Sequence, residues 1–241
     1  MKSLFITLII TIFPFWALSQ EEVGFIADRP GATTGVEVMP QWRLQWETGI
    51  GYQYSELDNP ITETHTLNTS LLRLGILKFA ELRFQADYLY TIAGKETTYD
   101  FSDVAIGTKI SLFDGAKAIP AVSLLGNVYF TDGGQIGLLF QNELTSWLSL
   151  GYEADIMWKD DPHPILFWGA CLGFQVTERF SMMAEEYNYN MFDDYENWME
   201  LGAMYQLTHR LQVDISTDIH LNYPTRYYNI MLGVAWQITK K

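Results

Sequence analysis

The chain has 241 residues, and its 29 acidic side chains against 15 Lys and Arg give a formal charge of −14. That balance excludes binding to nucleic acid through a phosphate-neutralising patch and electrostatic attraction to anionic lipid. One cysteine, Cys171, excludes an intrachain disulfide. The acidity reads instead as solvated loops and a cation-friendly interior.

Residues 1–19 have the form of a secretory signal. Lys2 supplies a short positive start, Leu4 to Leu18 is an apolar run, and Ala17-Leu18-Ser19 places small residues where a signal peptidase cuts. The run is too short for a spanning helix, and no later stretch has the 18 or so consecutive apolar residues that one requires. Residues 20–41 form an N-terminal leader rich in Gly, Pro and Thr, with Asp28, Arg29 and Pro30 at its centre. It reads either as an ordinary periplasmic leader or as a plug for whatever follows.

From Trp42 onward the period is two. Trp42, Leu44, Trp46, Thr48, Ile50, Tyr52 and Tyr54 share one face; Arg43, Gln45, Glu47, Gly49, Gly51 and Gln53 share the other. The same alternation predicts strands near 66–77, 81–91, 103–112, 119–130, 135–144, 148–158, 165–176, 180–189, 197–207, 211–221 and 228–238. Connections after even-numbered strands are short, such as Lys78-Phe79-Ala80 and Asp114-Gly115-Ala116. Those after odd-numbered strands are longer and acidic: 55–65, 92–102, 131–134, 159–164, 190–196 and 222–227. They carry Glu56, Asp58, Glu63, Glu96, Asp132, Asp160, Asp161, Asp193, Asp194 and Glu196.

Sorting of loops by parity is a property of a closed barrel crossing a bilayer, with tight turns on the periplasmic rim and longer loops outside. Trp42, Trp147, Phe180 and Trp236 fall at one end of their strands. Tyr54, Tyr90, Phe130, Trp158 and Tyr228 fall at the other, as two interfacial girdles would. The expected fold is therefore all-β: a closed antiparallel transmembrane barrel of about twelve strands over residues 42–241, in the bacterial outer membrane. The competing fold, a soluble sandwich, leaves unexplained how so small a chain would cover twelve apolar strand faces.

Several stretches resemble a known family. Ile26-Ala27-Asp28-Arg29-Pro30-Gly31-Ala32-Thr33, the Val38-Met39-Pro40 step and the strand Leu44-Gln45-Trp46-Glu47-Thr48-Gly49 resemble the opening of the outer-membrane barrels linked to the MetA-pathway of phenol degradation. Ser102-Asp103-Val104-Ala105-Ile106-Gly107-Thr108-Lys109 is similar to an internal strand of that family. Residues 201–208, Leu211-Gln212-Val213-Asp214 and Gly233-Val234 are similar to its end. The family usually finishes on an aromatic residue; this chain finishes Trp236-Gln237-Ile238-Thr239-Lys240-Lys241. The resemblance implies transport of small molecules, including hydrophobic or aromatic compounds.

If the apolar face meets lipid, the opposite face lines a lumen. Its candidate selectivity residues are Glu47, Arg73, Arg83, Asp87, Lys109, Glu143, Glu153, Asp155, Asp214 and Asp218, with Glu81, Glu185 and Glu200 on the same face. Cross-strand pairing is expected to join Glu47 to Arg73 and Asp87 to Lys109. Two readings stay open: a salt-bridged filling that keeps the barrel round, and a cation-preferring passage. Twelve strands lie between the filled eight-stranded barrel and the open sixteen-stranded porin, so a narrow or plugged conduit is expected.

Enzymatic chemistry finds little support. Ser216, Asp218 and His220 share a face of one strand, but i, i+2 neighbours lie about 7 Å apart, too far for a nucleophile and its base. His163 beside Asp160 and Asp161 would serve a surface hydrolase. No Cys/His metal spacing and no cofactor motif occurs, and Asp193, Asp194 and Glu196 form at most a loose acidic Ca²⁺ site. The expected function is an outer-membrane conduit whose partners are the bilayer and a small solute; the alternatives are a non-conducting structural or partner-binding barrel and, behind it, the hydrolase.

Overall fold

The computed structural model describes residues 25–56, 60–116, 118–130, 133–158, 163–191, 194–224 and 226–239, with backbone only at Asp103 and Asp194. The expected signal sequence and the residues Asp58, Asp132, Asp160, Asp161 and Asp193, expected in loops, lie outside them.

Twelve strands occur among the described residues: β1 (Leu44–Ser55), β2 (Thr62–Leu77), β3 (Ala80–Ala93), β4 (Glu96–Phe113), β5 (Ala121–Tyr129), β6 (Gly134–Glu143), β7 (Leu148–Trp158), β8 (Ile165–Gln175), β9 (Phe180–Met191), β10 (Asp194–Thr208), β11 (Leu211–His220) and β12 (Tyr227–Gln237). Each pairs antiparallel with its chain neighbour, and β1 pairs with β12 through Trp46↔Trp236, Gly49↔Gly233 and Tyr54↔Tyr228, closing the barrel. Closure leaves no strand edge, which a sheet needs if every backbone N–H and C=O is to be satisfied in lipid.

Loop lengths differ from expectation most at two hairpins, while the β1–β2 and β9–β10 ladders also run into their expected loops, to Ser55↔Thr62 and Met191↔Asp194. Residues 92–102, expected as a loop, continue the β3–β4 ladder to Ala93↔Glu96, and only Gly94-Lys95 turns. Thr91, Thr97, Thr98, Tyr99 and Phe101 are β-branched or aromatic, and Tyr90–Tyr99 and Tyr88–Phe101 pack across the pair at 4.8 and 4.7 Å. Gly94 makes the turn at φ 62°, where Gly carries no steric penalty. On the other rim, the β4–β5 connection runs through 114–120, longer than the expected three-residue turn, and is held by an Ala116↔Ile119 bridge. Parity is expressed in strand overhang more than in loop length: β2, β3, β4 and β10 have 16, 14, 18 and 15 residues, beyond the roughly 9–11 that span a bilayer.

The faces sort as the alternation requires. Ile50, Ile106, Leu138, Ile156, Leu166, Leu201, Ile215, Ile230 and Leu232 point outward and are exposed, as are Trp147 and Trp236 at one rim and Phe130, Trp158 and Tyr228 at the other. The buried set is mostly polar and includes Gln45, Glu47, Arg73, Glu81, Lys109, Ser123, Glu153 and Glu185. The barrel is thus apolar outside and polar inside, the reverse of a soluble sandwich. Ile156→Arg, placing a charge on the lipid face of β7 where Ile156 is 52% exposed, is expected to destabilise the membrane-folded barrel by about 2–4 kcal/mol. Urea unfolding in vesicles measures it; an unchanged midpoint contradicts a lipid-facing β7.

Candidate functional site

Residues 25–41 run inside the barrel, rising from one rim, crossing the lumen and returning to enter β1. The crossing is built from backbone amides meeting wall carboxylates. Asp28 N–H and Arg29 N–H donate to Glu47 Oε2 at 3.0 and 3.1 Å. Ala32 N–H and Thr33 N–H donate to Glu185 at 3.1 and 2.6 Å, and Thr34 N–H donates to Glu153. Met39 N–H donates to Glu81 Oε2 at 2.6 Å. In the other sense Gln45, Lys109, Ser123 and Arg73 donate to the carbonyls of Ile26, Gly35, Val36 and Glu37 at 2.6, 2.7, 2.6 and 2.9 Å. An irregular segment has no ladder of its own, so each buried amide needs such a partner.

Two side chains fix its ends of charge. Arg29 pairs with Asp214 Oδ1 at 3.2 Å and donates to Thr69 Oγ1 at 3.0 Å. Asp28 sits among three cations: Lys109 Nζ at 3.0 Å and Arg73 Nη1 at 3.3 Å on Oδ1, and Arg83 Nη1 on Oδ2. Arg73 also holds Glu47 at 3.1 Å and Glu81 at 3.0 Å, and Arg83 holds Glu81 at 2.8 Å. Three guanidinium or ammonium groups against Asp28, Glu47 and Glu81 make a neutral, buried cluster. Burial works to raise the Asp28 carboxyl, but Arg73, Lys109 and Arg83 outweigh it and hold the group well below the usual carboxylate range.

A depressed folded-state value contributes stability that is complete above the ordinary carboxylate range and is lost as pH falls through the folded value. The Asp28 carboxylate is therefore expected to stay ionised between about pH 8 and about pH 5, and the carboxyl carbon resonance of labelled Asp28 to stay unmoved across that window. A resonance that moves on acidification within it would contradict the caged carboxylate.

The wall is also carved for the segment. A Cβ at Gly75 would land on Pro40 O, at Gly169 on Thr33 Oγ1, and at Gly49 or Gly233 on the Arg29 guanidinium; at Gly202 it would come within 2.8 Å of Pro30 Cγ. These glycines are on five different strands and all face inward. Gly202→Val is expected to weaken docking of Pro30 and to raise proteinase K cleavage within residues 25–41 several-fold without breaking the sheet, because β-branched residues suit strands. Unaltered proteolysis would show that the contact matters little.

Of the candidate residues, Asp28, Arg29, Pro30, Glu47, Arg73, Arg83, Lys109, Glu153 and Asp214 come together around the segment. Glu47 pairs with Arg73 across β1–β2. The register does not oppose Asp87 and Lys109: Asp87 faces Ser102 and Thr69, and Glu81 stands opposite Lys109, because the tight turn at Gly94-Lys95 sets the β3–β4 register. Asp155 accepts from Gln135, and Asp218 accepts from Tyr187 and Asn229 at 3.3 and 3.1 Å, both higher in the lumen. Glu143 is exposed at the rim and accepts from Gln141 at 2.8 Å. Sequence reading missed Gln45, Ser123, Gln141 and the five glycines; small and amide residues on the inward face were the available signal. Ser216 and His220 are buried, with His220 packed on Trp198 at 4.4 Å. Glu196 accepts from Trp198 Nε1, while its acidic neighbours lie outside the described side chains.

Above the crossing the lumen opens into two adjoining cavities of about 410 and 290 Å³. Ala32, Thr34, Arg83 and Gln85 border both, and Leu125, Tyr129, Met157, Ile165, Tyr189 and Met191 line the larger. One wall carries the aromatic cluster Phe167, Tyr187 and Trp198, with Tyr189 and Tyr227 against it.

A closed antiparallel barrel with an apolar exterior, aromatic rims and a polar interior is an outer-membrane β-barrel, and that membrane is its location. The family model described as "Putative MetA-pathway of phenol degradation" matches residues 27–238, and the chain belongs to that family. Among solved structures it is similar to an outer membrane channel from Pseudomonas putida F1, with TM-score 0.62, 10% identity and coverage of 87% of this chain and 99% of that one. It is similar also to the NanC porin, with TM-score 0.58, 11% identity and coverage of 80% and 100%. The KdgM porin follows with TM-score 0.51, 10% identity and coverage of 79% and 99%. At these identities the likeness is one of fold. No curated protein matches the chain.

Proposed function

We propose that the protein is an outer-membrane channel for small solutes, closed at rest by its own segment 25–41. The observation that carries this reading is the crossing itself: backbone amides from Asp28 to Met39 meet carboxylates on β1, β3, β7 and β9, so the segment spans the lumen and does not merely line it. A structural barrel needs a filled interior, but it has no need of cavities totalling several hundred Å³ outside the filling. Their mixed lining suits a small molecule with an apolar or aromatic body and one polar end. Once the segment leaves, inward carboxylates outnumber inward cations, which favours passage of cations over anions.

Proteoliposome swelling tests the proposal. Vesicles holding the full chain are expected to swell slowly in small neutral sugars, and those holding a variant lacking residues 25–39 at least tenfold faster. Equal, negligible rates from two folded proteins would favour the non-conducting barrel.

A further inference from the structure

Asp28 is a carboxylate of the chain placed where a carboxylate of a solute could sit, and the cavities above it lead there. We infer that Arg83, Lys109 and Arg73 form a recognition site for a small monocarboxylate with an apolar body, that Asp28 occupies this site in the closed state, and that the solute releases segment 25–41 by taking its place. This rests on the closure of the lumen by that segment and names the solute class that relieves it.

The charge count sets the valence. With Asp28 present, Arg73, Arg83 and Lys109 balance Asp28, Glu47 and Glu81. Without it, Glu47 and Glu81 remain bound to Arg73 at 3.1 and 3.0 Å, and the cluster keeps one uncompensated positive charge. A buried, unpaired cation is strongly unfavourable, so the site is suited to one negative charge from any source that reaches it. A dianion or a neutral solute would leave the cluster charged.

Access comes from the outer side. Arg83 borders both cavities and Asp28 borders the smaller, so the pair forms part of the vestibule floor. The larger cavity offers Leu125, Met157, Ile165 and Met191 to an apolar body and Tyr129 to a ring. A guanidinium presents a planar fork that matches a carboxylate better than a lone oxygen, and in the closed state Arg83 Nη1 meets Asp28 through the single oxygen Oδ2. The anchors that would let go lie beside this exchange: the amides of Asp28 and Arg29 on Glu47, and Arg29 on Asp214. The exchange is ionic and non-covalent, and no proton need move.

Benzoate and its neutral analogue benzamide are the probes, used with the folded full-length protein in calorimetric titration and in planar bilayers. Benzoate is expected to bind at least tenfold more tightly than benzamide. Asp28→Asn removes the internal competitor and is expected to tighten benzoate by a further tenfold. Arg83→Gln is expected to reduce benzoate to the benzamide level, and Arg83→Lys to restore part of the difference. In the bilayer, benzoate on the outer side should raise conductance of the wild type, and Asp28→Asn should conduct without it.

Equal binding of benzoate and benzamide, or benzoate affinity unmoved by Asp28→Asn, would overturn the inference; closure by the segment would survive if Asp28→Asn still conducts. Charge-selective binding strengthened by Asp28→Asn, with silent bilayers throughout, would uphold the carboxylate site and overturn release of the segment. Should Arg83→Gln fail to fold, the opposite shifts expected of Asp28→Asn and of benzamide decide the matter without it.

Discussion

Arg73→Ala is expected to destabilise the folded barrel by about 3–5 kcal/mol, the largest single effect of any side chain considered. Arg73 is wholly buried and serves five acceptors: Glu81 through Nε and Nη2 at 3.0 Å each, Glu47 and Asp28 through Nη1 at 3.1 and 3.3 Å, and Glu37 O through Nη2 at 2.9 Å. Truncation leaves three carboxylates sharing Arg83 and Lys109, and buried charge without a partner is far more damaging than a pair replaced by apolar groups. Arg73→Lys keeps the charge but puts its donors on one nitrogen, which cannot reach both Glu81 oxygens and Glu47 together; it is expected to lose a substantial part of the same stability. Unfolding in urea, followed by the gel shift of the heat-modifiable barrel, measures both. A variant as stable as the wild type would mean that the ion cluster is not what holds the segment to β2.

The second large effect concerns selectivity. In a variant opened by removing residues 25–39, the wall presents Glu47, Glu81, Asp87, Glu153, Asp155, Glu185, Glu200, Asp214 and Asp218 against Arg73, Arg83 and Lys109. Glu153 and Glu185 lose the N–H donors of Thr34, Ala32 and Thr33 and face water. A wall of one prevailing sign raises the local concentration of counter-ions. The reversal potential in a potassium chloride gradient is therefore expected to indicate a several-fold preference for potassium over chloride. Glu153→Gln with Glu185→Gln in the same background should abolish most of it while leaving conductance open. Anion preference in the opened barrel would refute the acidic lumen as its filter.

The strands were legible because a barrel wall has two solvents. Each strand from Leu44 to Gln237 alternates between a lipid face and an inward face, and period two survives even where Thr48, Thr108 or Thr217 replaces a larger apolar residue. Strand ends were less legible: Thr62–Thr66 and Glu96–Ser102 project beyond the bilayer, where apolar alternation lapses although Thr and Tyr still favour pairing. The lumen residues were legible as a face but not as partners. Asp87 and Lys109 were expected to pair, but the tight turn at Gly94-Lys95 sets a register that puts Ser102 opposite Asp87 and Glu81 opposite Lys109. Leader residues Asp28, Arg29 and Pro30 stood out by composition, yet their contacts come from β1, β2, β3, β4, β10, β11 and β12, which only the closed topology assembles. Gly75, Gly169, Gly202 and Gly233 read as ordinary strand glycines in the sequence, since nothing local records that another segment passes within reach.

Single-channel conductance in planar bilayers is the most direct test of closure by the N-terminal segment. The full chain is expected to stay largely silent, and the chain lacking residues 25–39 to show discrete, long-lived steps from an equally folded barrel. Steps of the same size and frequency from both proteins would contradict closure of the lumen by residues 25–41.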